Sequence, residues 1–86
     1  MTTTPVTVRY FASLREALGK GTEEVPAQAA TLGALRRELA ARGGAYAEAL
    51  APGKAVRVAQ NQVMAGDDEP LLAGAEVAFF PPVTGG

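Results

Sequence analysis

The stretch Pro81-Pro82-Val83-Thr84-Gly85-Gly86 is where reactive chemistry concentrates in this sequence, because the rest of it is chemically sparse. The 86 residues include no cysteine and no histidine. That removes a disulfide framework, a thiol nucleophile, a persulfide on the chain's own sulfur, an imidazole general base and a Cys/His zinc site. The acidic run Asp67-Asp68-Glu69 lacks the spacing of an EF-hand loop and reads as a solvated turn. The remaining Asp, Glu and Arg residues show no general acid/base spacing, and no Gly-rich phosphate loop leads into a helix. No metal and no cofactor is expected on this chain.

The tail is different. Its two prolines cannot donate to a sheet ladder and favour an extended, stiff backbone, and its two glycines have no side chain to pack. Six extended residues reach roughly 20 Å at up to about 3.5 Å each. A terminal glycine leaves its carboxylate unhindered, and a bare Gly-Gly backbone passes a channel too narrow for a Cβ, so Gly86 is expected to act in another protein's active site. An α-carboxylate, with an ordinary pKa of about 3.5, is an anion at neutral pH and a poor electrophile. Using it requires activation, most simply as an acyl-adenylate made from ATP by a separate enzyme. Capture by sulfur then gives a thiocarboxylate, and capture by an amine gives a modified lysine.

The elements that must present this tail follow from periodicity. Val6 to Phe11 is a dense β-branched and aromatic run behind Pro5, with Val6, Val8 and Tyr10 on the core face and Thr7, Arg9 and Phe11 on the other. Ala12 to Leu18 reads as a short helix ending at Gly19, and Thr22 to Val25 as a weaker strand stopped by Pro26. The main helix starts at Thr31 as N-cap, carries Leu32, Leu35 and Leu39, and stops at Gly43-Gly44. Arg36, Arg37, Glu38 and Arg42 are expected on its solvated face, with a Glu38–Arg42 pair. Ala45 to Leu50 extends as a further helical turn before Pro52-Gly53. Ala55 to Gln60 and Val63-Met64 flank a turn at Asn61-Gln62, and Glu76 to Phe80 is the last strand, with Val77 and Phe79 in the core and Phe80 exposed. This order predicts an α+β fold, a mixed sheet of about five strands on one main helix, with a domain over residues 1–80 and a flexible tail over 81–86.

Composition sets the outer limits. Eight Lys plus Arg against nine Asp plus Glu give a net charge of −1, without the basic excess of a nucleic-acid binder. No run approaches the roughly 18 apolar residues of a membrane span, and Met1-Thr2-Thr3-Thr4-Pro5 lacks signal-peptide regions. A soluble, cytoplasmic protein with no nucleic-acid or membrane partner is the expectation.

Glu76-Val77-Ala78-Phe79-Phe80-Pro81-Pro82-Val83-Thr84-Gly85-Gly86 resembles the C-terminal signature of the sulfur-carrier subunits of molybdopterin synthase, a ubiquitin-like β-grasp family. Further matches are Val8-Arg9-Tyr10-Phe11-Ala12 leading into Arg15-Glu16, the helix around Leu35-Arg36, Asn61-Gln62, and Pro70-Leu71. Ala75 departs from the family, which commonly carries an acidic residue there. The resemblance implies that an E1-like adenylating enzyme uses ATP to activate Gly86, and that a persulfide donor protein supplies sulfur for a thiocarboxylate. It implies insertion of Pro81, Pro82, Val83, Thr84 and Gly85 into a large subunit, within a heterotetramer, where sulfur passes to a cyclic pyranopterin monophosphate. It also implies an apolar docking patch of Phe11, Met64 and Phe80. Catalysis is expected in the large subunit and not in this chain. The alternatives are sulfur donation to the thiazole of thiamine or to a transfer-RNA base, a ubiquitin-like modifier of lysines, and a docking module with an unreactive tail.

Overall fold

The computed structural model describes residues 3–51 and 53–81. In chain order the elements are β1 (Thr4–Tyr10), α1 (Ala12–Leu18), β2 (Thr22–Ala27), α2 (Leu32–Ala40), α3 (Gly44–Leu50), β3 (Arg57–Gln60), β4 (Val63–Ala65) and β5 (Glu76–Phe80). The five strands form one mixed sheet in the order β2-β1-β5-β3-β4. β1 and β5 run parallel at its centre, with Val8 opposite Val77 and Tyr10 opposite Phe79, and the other pairings are antiparallel.

Alternation along the strands divides the sheet into two faces. Val6, Val8, Tyr10, Val25, Val58, Val77 and Phe79 are buried with Leu14, Leu32, Leu35, Leu39 and Leu50 from the helices in one core. Core placement of Val6, Val8, Tyr10, Val77 and Phe79 agrees with their spacing in sequence. Ala75 is buried as well, and its carbonyl accepts from the Thr7 amide at 2.9 Å. An acidic side chain at that position would have to leave the core.

Local chemistry fixes the boundaries. Gly19 ends α1 at φ 74°, and its amide donates to the Arg15 carbonyl at 2.9 Å. Thr31 caps α2 by accepting from the Ala34 amide at 3.1 Å. The Leu32 and Gly33 amides donate to the carbonyls of Glu69 and Asp67 at 3.0 and 2.9 Å, so the acidic loop closes the start of α2 with its backbone. β2 runs through Pro26 instead of stopping before it, because β2 is an edge strand and Pro26 faces Pro5, where neither residue has an amide to give. α2 closes at Ala40, ahead of the glycine pair. Gly43 and Gly44, at φ 79° and 56°, turn the chain into α3 as a separate helix.

Arg36 does not lie on a solvated face. It is buried, its Nε donates to the Leu50 carbonyl at 2.8 Å, and Nη2 donates to the carbonyls of Ala51 and Lys54 at 2.7 and 2.6 Å. The expected Glu38–Arg42 pair does not form either. Glu38 accepts from the Gln28 amide at 3.0 Å, and Arg42 reaches Glu23 at 3.0 Å. Both side chains find partners on β2 and the segment after it, outside their own helix.

Candidate functional site

β5 sits between β1 and β3, and because β1 and β5 are parallel they end on the same side of the sheet. The Phe11 amide donates to the Phe79 carbonyl at 3.2 Å, which brings Phe11 beside the end of β5 where Pro81 leaves. The tail is therefore launched from a strand held on both sides. Pro82, Val83, Thr84, Gly85 and Gly86, the residues expected to carry the chemistry, lie outside the described residues; Pro81, the first of the tail, is partly buried.

Opposite the helices the sheet carries a short apolar strip flanked by Arg9, Arg57 and Glu76. Phe80, Ala78 and Ala59 share that side, Ala78 is in register with Ala59, and Ala59 with Met64. Two strand spacings of about 4.8 Å carry the patch from β5 to β4, with only small alanines between the larger side chains. Phe11 is 40% and Met64 54% exposed. Phe80 is partly buried, not exposed as expected from alternation, since the central strand gives it Arg57 in register on one side and Phe11 near the other. The three residues predicted as a patch thus lie on one face, with Phe80 as its half-covered centre. Arg9 forms the polar margin, reaching Glu76 at 3.0 Å and lying 5.3 Å from the centre of the Phe11 ring.

A second group of titratable residues lies at the β2 edge. Glu23 Oε2 accepts from the hydroxyls of Tyr10 and Tyr46 at 2.7 and 2.9 Å, and Oε1 accepts from Arg42 at 3.0 Å. Burial alone would raise the Glu23 pKa, but hydrogen bonds from Tyr10, Arg42 and Tyr46 and the Arg42 charge hold it below the usual carboxylate range. Burial, with the Glu23 carboxylate second, pushes the Tyr10 hydroxyl far above its ordinary value, so it keeps its proton. A satisfied carboxylate and a proton-retaining phenol make a tie between β1, β2, α3 and the turn that precedes α3, not a nucleophile. This cluster had no local signature in sequence, because its members come from three separate elements and the turn between α2 and α3.

Among the described residues no three or more His, Cys, Asp or Glu side chains are grouped to hold a metal ion. Asp67 and Glu69 serve through their backbone carbonyls, as described for α2. None of the described helices is long and apolar enough to cross a membrane.

The sequence matches the ThiS family over residues 8–86. It is 47% identical to the molybdopterin synthase sulfur carrier subunit of Escherichia coli over 81 residues, which is 94% of this chain and 99% of that protein. Among solved structures it is similar to SAMP1, a small archaeal modifier protein of Haloferax volcanii, with a TM-score of 0.74 at 30% identity, covering 95% of this chain and 99% of the other. It is also similar to a chain in the complex of subunits 1 and 2 of the molybdopterin-converting factor of Helicobacter pylori, with a TM-score of 0.64 at 25% identity over 95% and 99% of the two chains.

Proposed function

The chain belongs to the ThiS family, and on that premise we propose that it is the sulfur carrier of molybdenum cofactor biosynthesis, the small subunit of a molybdopterin synthase. The observation that carries this reading is the near-full-length identity to the Escherichia coli carrier, together with a family match that runs through Gly86.

The Gly86 carboxylate attacks the α-phosphate of ATP on an E1-like adenylating enzyme, releasing pyrophosphate and leaving an acyl-adenylate. The terminal sulfur of a protein persulfide attacks the acyl carbon and expels AMP, giving an acyl disulfide. A thiol then reduces the S–S bond with two electrons, and the thiocarboxylate remains on Gly86. In the large subunit, the thiocarboxylate sulfur displaces an oxygen leaving group on a side-chain carbon of the cyclic pyranopterin monophosphate, forming a C–S bond and a thioester to Gly86, and water cleaves the acyl–sulfur bond to leave the sulfur on the pterin and a carboxylate on Gly86. Two charged chains supply the two sulfurs of the dithiolene.

In this scheme the described fold has a positioning role. β5 holds the base of the tail, and the Phe11, Phe80, Met64 face docks first on the activating enzyme and then on the large subunit. The chain is a regenerated reactant with no catalytic activity of its own. The complex that contains the Helicobacter pylori relative supports a large-subunit partner.

The similarity to SAMP1 favours a second reading, in which a lysine amine captures the same acyl-adenylate. Reconstituted synthesis with activating enzyme, persulfide donor and large subunit distinguishes them. Deleting Gly86, or adding a residue after it, should abolish pterin product while leaving the fold intact. Undiminished product from the deletion variant would contradict the assignment, and lysine adducts without pterin product would favour the modifier.

A further inference from the structure

Phe11 belongs to two features at once. It lies on the apolar strip, and it lines a recess of about 230 Å³ with Arg9, Tyr10, Arg15, Gly21 and Thr22. Two of these six residues are cationic and none is acidic. Arg9 is already held between Glu76, at 3.0 Å, and the Phe11 ring. Arg15 is exposed, and among the described residues it has no ion-pair partner. Its side chain lies along Gly21, with Nε 3.4 Å from where a Cβ on that glycine would stand.

A protein that docks on the outer face and covers Phe11 must also cover this recess and take Arg15 out of water. Desolvating a guanidinium without an acceptor is strongly unfavourable, so such a partner has to bring one. We infer that the recess is a socket for a carboxylate side chain of the docking protein, gripped by Arg15 with Arg9 beside it. A carboxylate suits the guanidinium fork because two parallel N–H groups meet its two oxygens. The ionic contact and the apolar contact at Phe11 then fix the carrier's rotation on its partner, and with it the direction in which Pro81 leaves the sheet.

The inference rests on the proposed carrier function, and the test separates the two. The full chain is titrated calorimetrically into the large subunit encoded by the same genome, over a range of salt concentrations, with melting curves confirming that each variant is folded. Arg15→Gln should weaken binding about tenfold and flatten its salt dependence, and Arg15→Glu should weaken it further. Phe11→Ala should weaken binding and leave the salt dependence unchanged. If the unsubstituted chain binds and Arg15→Gln matches it in affinity and salt dependence, the socket is overturned and the carrier function stands. If the unsubstituted chain does not bind at all, both fall. Saturation of the Arg15 Nε–H resonance of the isolated chain by submillimolar inorganic phosphate would assign the recess to a small free anion and overturn the socket as well.

Discussion

Arg36 carries a full positive charge into the core, and only the three carbonyls of Leu50, Ala51 and Lys54 make that possible. Arg36→Met removes the donor and strands those acceptors, and should cost about 3 kcal/mol in a urea titration. Arg36→Lys should recover only part of this, since an ammonium cannot reproduce the fork. A loss below about 1 kcal/mol for Arg36→Met would show that the carbonyls find other partners. The position was legible in sequence and its content was misleading: residue 36 follows Leu32 by one helical turn and precedes Leu39 by another, so it lies on the core stripe, but a charge argues for water. What offsets the charge sits 14 to 18 residues further along the chain, where no local pattern reports it. Glu23 makes a second prediction at this scale. Its folded pKa is held below the ordinary 4.5, so its contribution is fully present above that value and is lost as pH falls through the lower folded one. Thermal melting of the unsubstituted chain should therefore fall on acidification through this window, and fall less for Glu23→Gln. Parallel acid profiles for the two chains would contradict the assignment.

β5 shows what a single element contributes. Its alternation sends Val77 and Phe79 into the core and Phe80 to the opposite face, and both assignments follow from the period of a strand. That Phe80 is half-covered depends on β1 and β3 flanking it, a non-local pairing that a single strand's sequence does not encode. As the half-buried centre of the patch, Phe80→Ala should weaken binding to the large subunit by about 2 kcal/mol and stability by about 1 kcal/mol. Calorimetry and urea titration measure the two separately, and equal binding by the variant would remove Phe80 from the interface. The turns were the more readable elements. Asn61-Gln62 adopts positive φ at both residues, 51° and 69°, as a two-residue hairpin requires. Asn61 also ties that hairpin to β5, accepting from the Glu76 amide at 3.0 Å through its side chain and donating its own amide to the Glu76 carbonyl at 2.8 Å. Gly43-Gly44 marked the break between helices but not the end of α2, which closes earlier at Ala40 with Ala41 as a right-handed cap, and it concealed the restart, because left-handed freedom can redirect the chain into the next helix.

On the proposed function, holding and reacting belong to different parts of the molecule. A 14-residue core cluster fixes the sheet, the sheet fixes β5 by pairing it on both sides, and β5 carries Pro81 outward. Elimination alone left the Gly-Gly end as the best chemical handle of a sequence without cysteine or histidine, and the expectation of activation rests on that. The sulfur acceptor was not readable that way: on the proposed function the pocket that selects it belongs to another protein, and only family resemblance supplies it. On the proposed function Gly86 carries sulfur as a thiocarboxylate, and the intact mass of the chain reports that exchange. The chain is incubated with ATP, the adenylating enzyme and a persulfide donor protein from the same genome, then fragmented to locate any change. A sulfur carrier gains the mass of one oxygen exchanged for one sulfur, located on Gly86 and lost when ATP is omitted; an unchanged mass under complete conditions, or a sulfur located on any other residue, would rule the thiocarboxylate out.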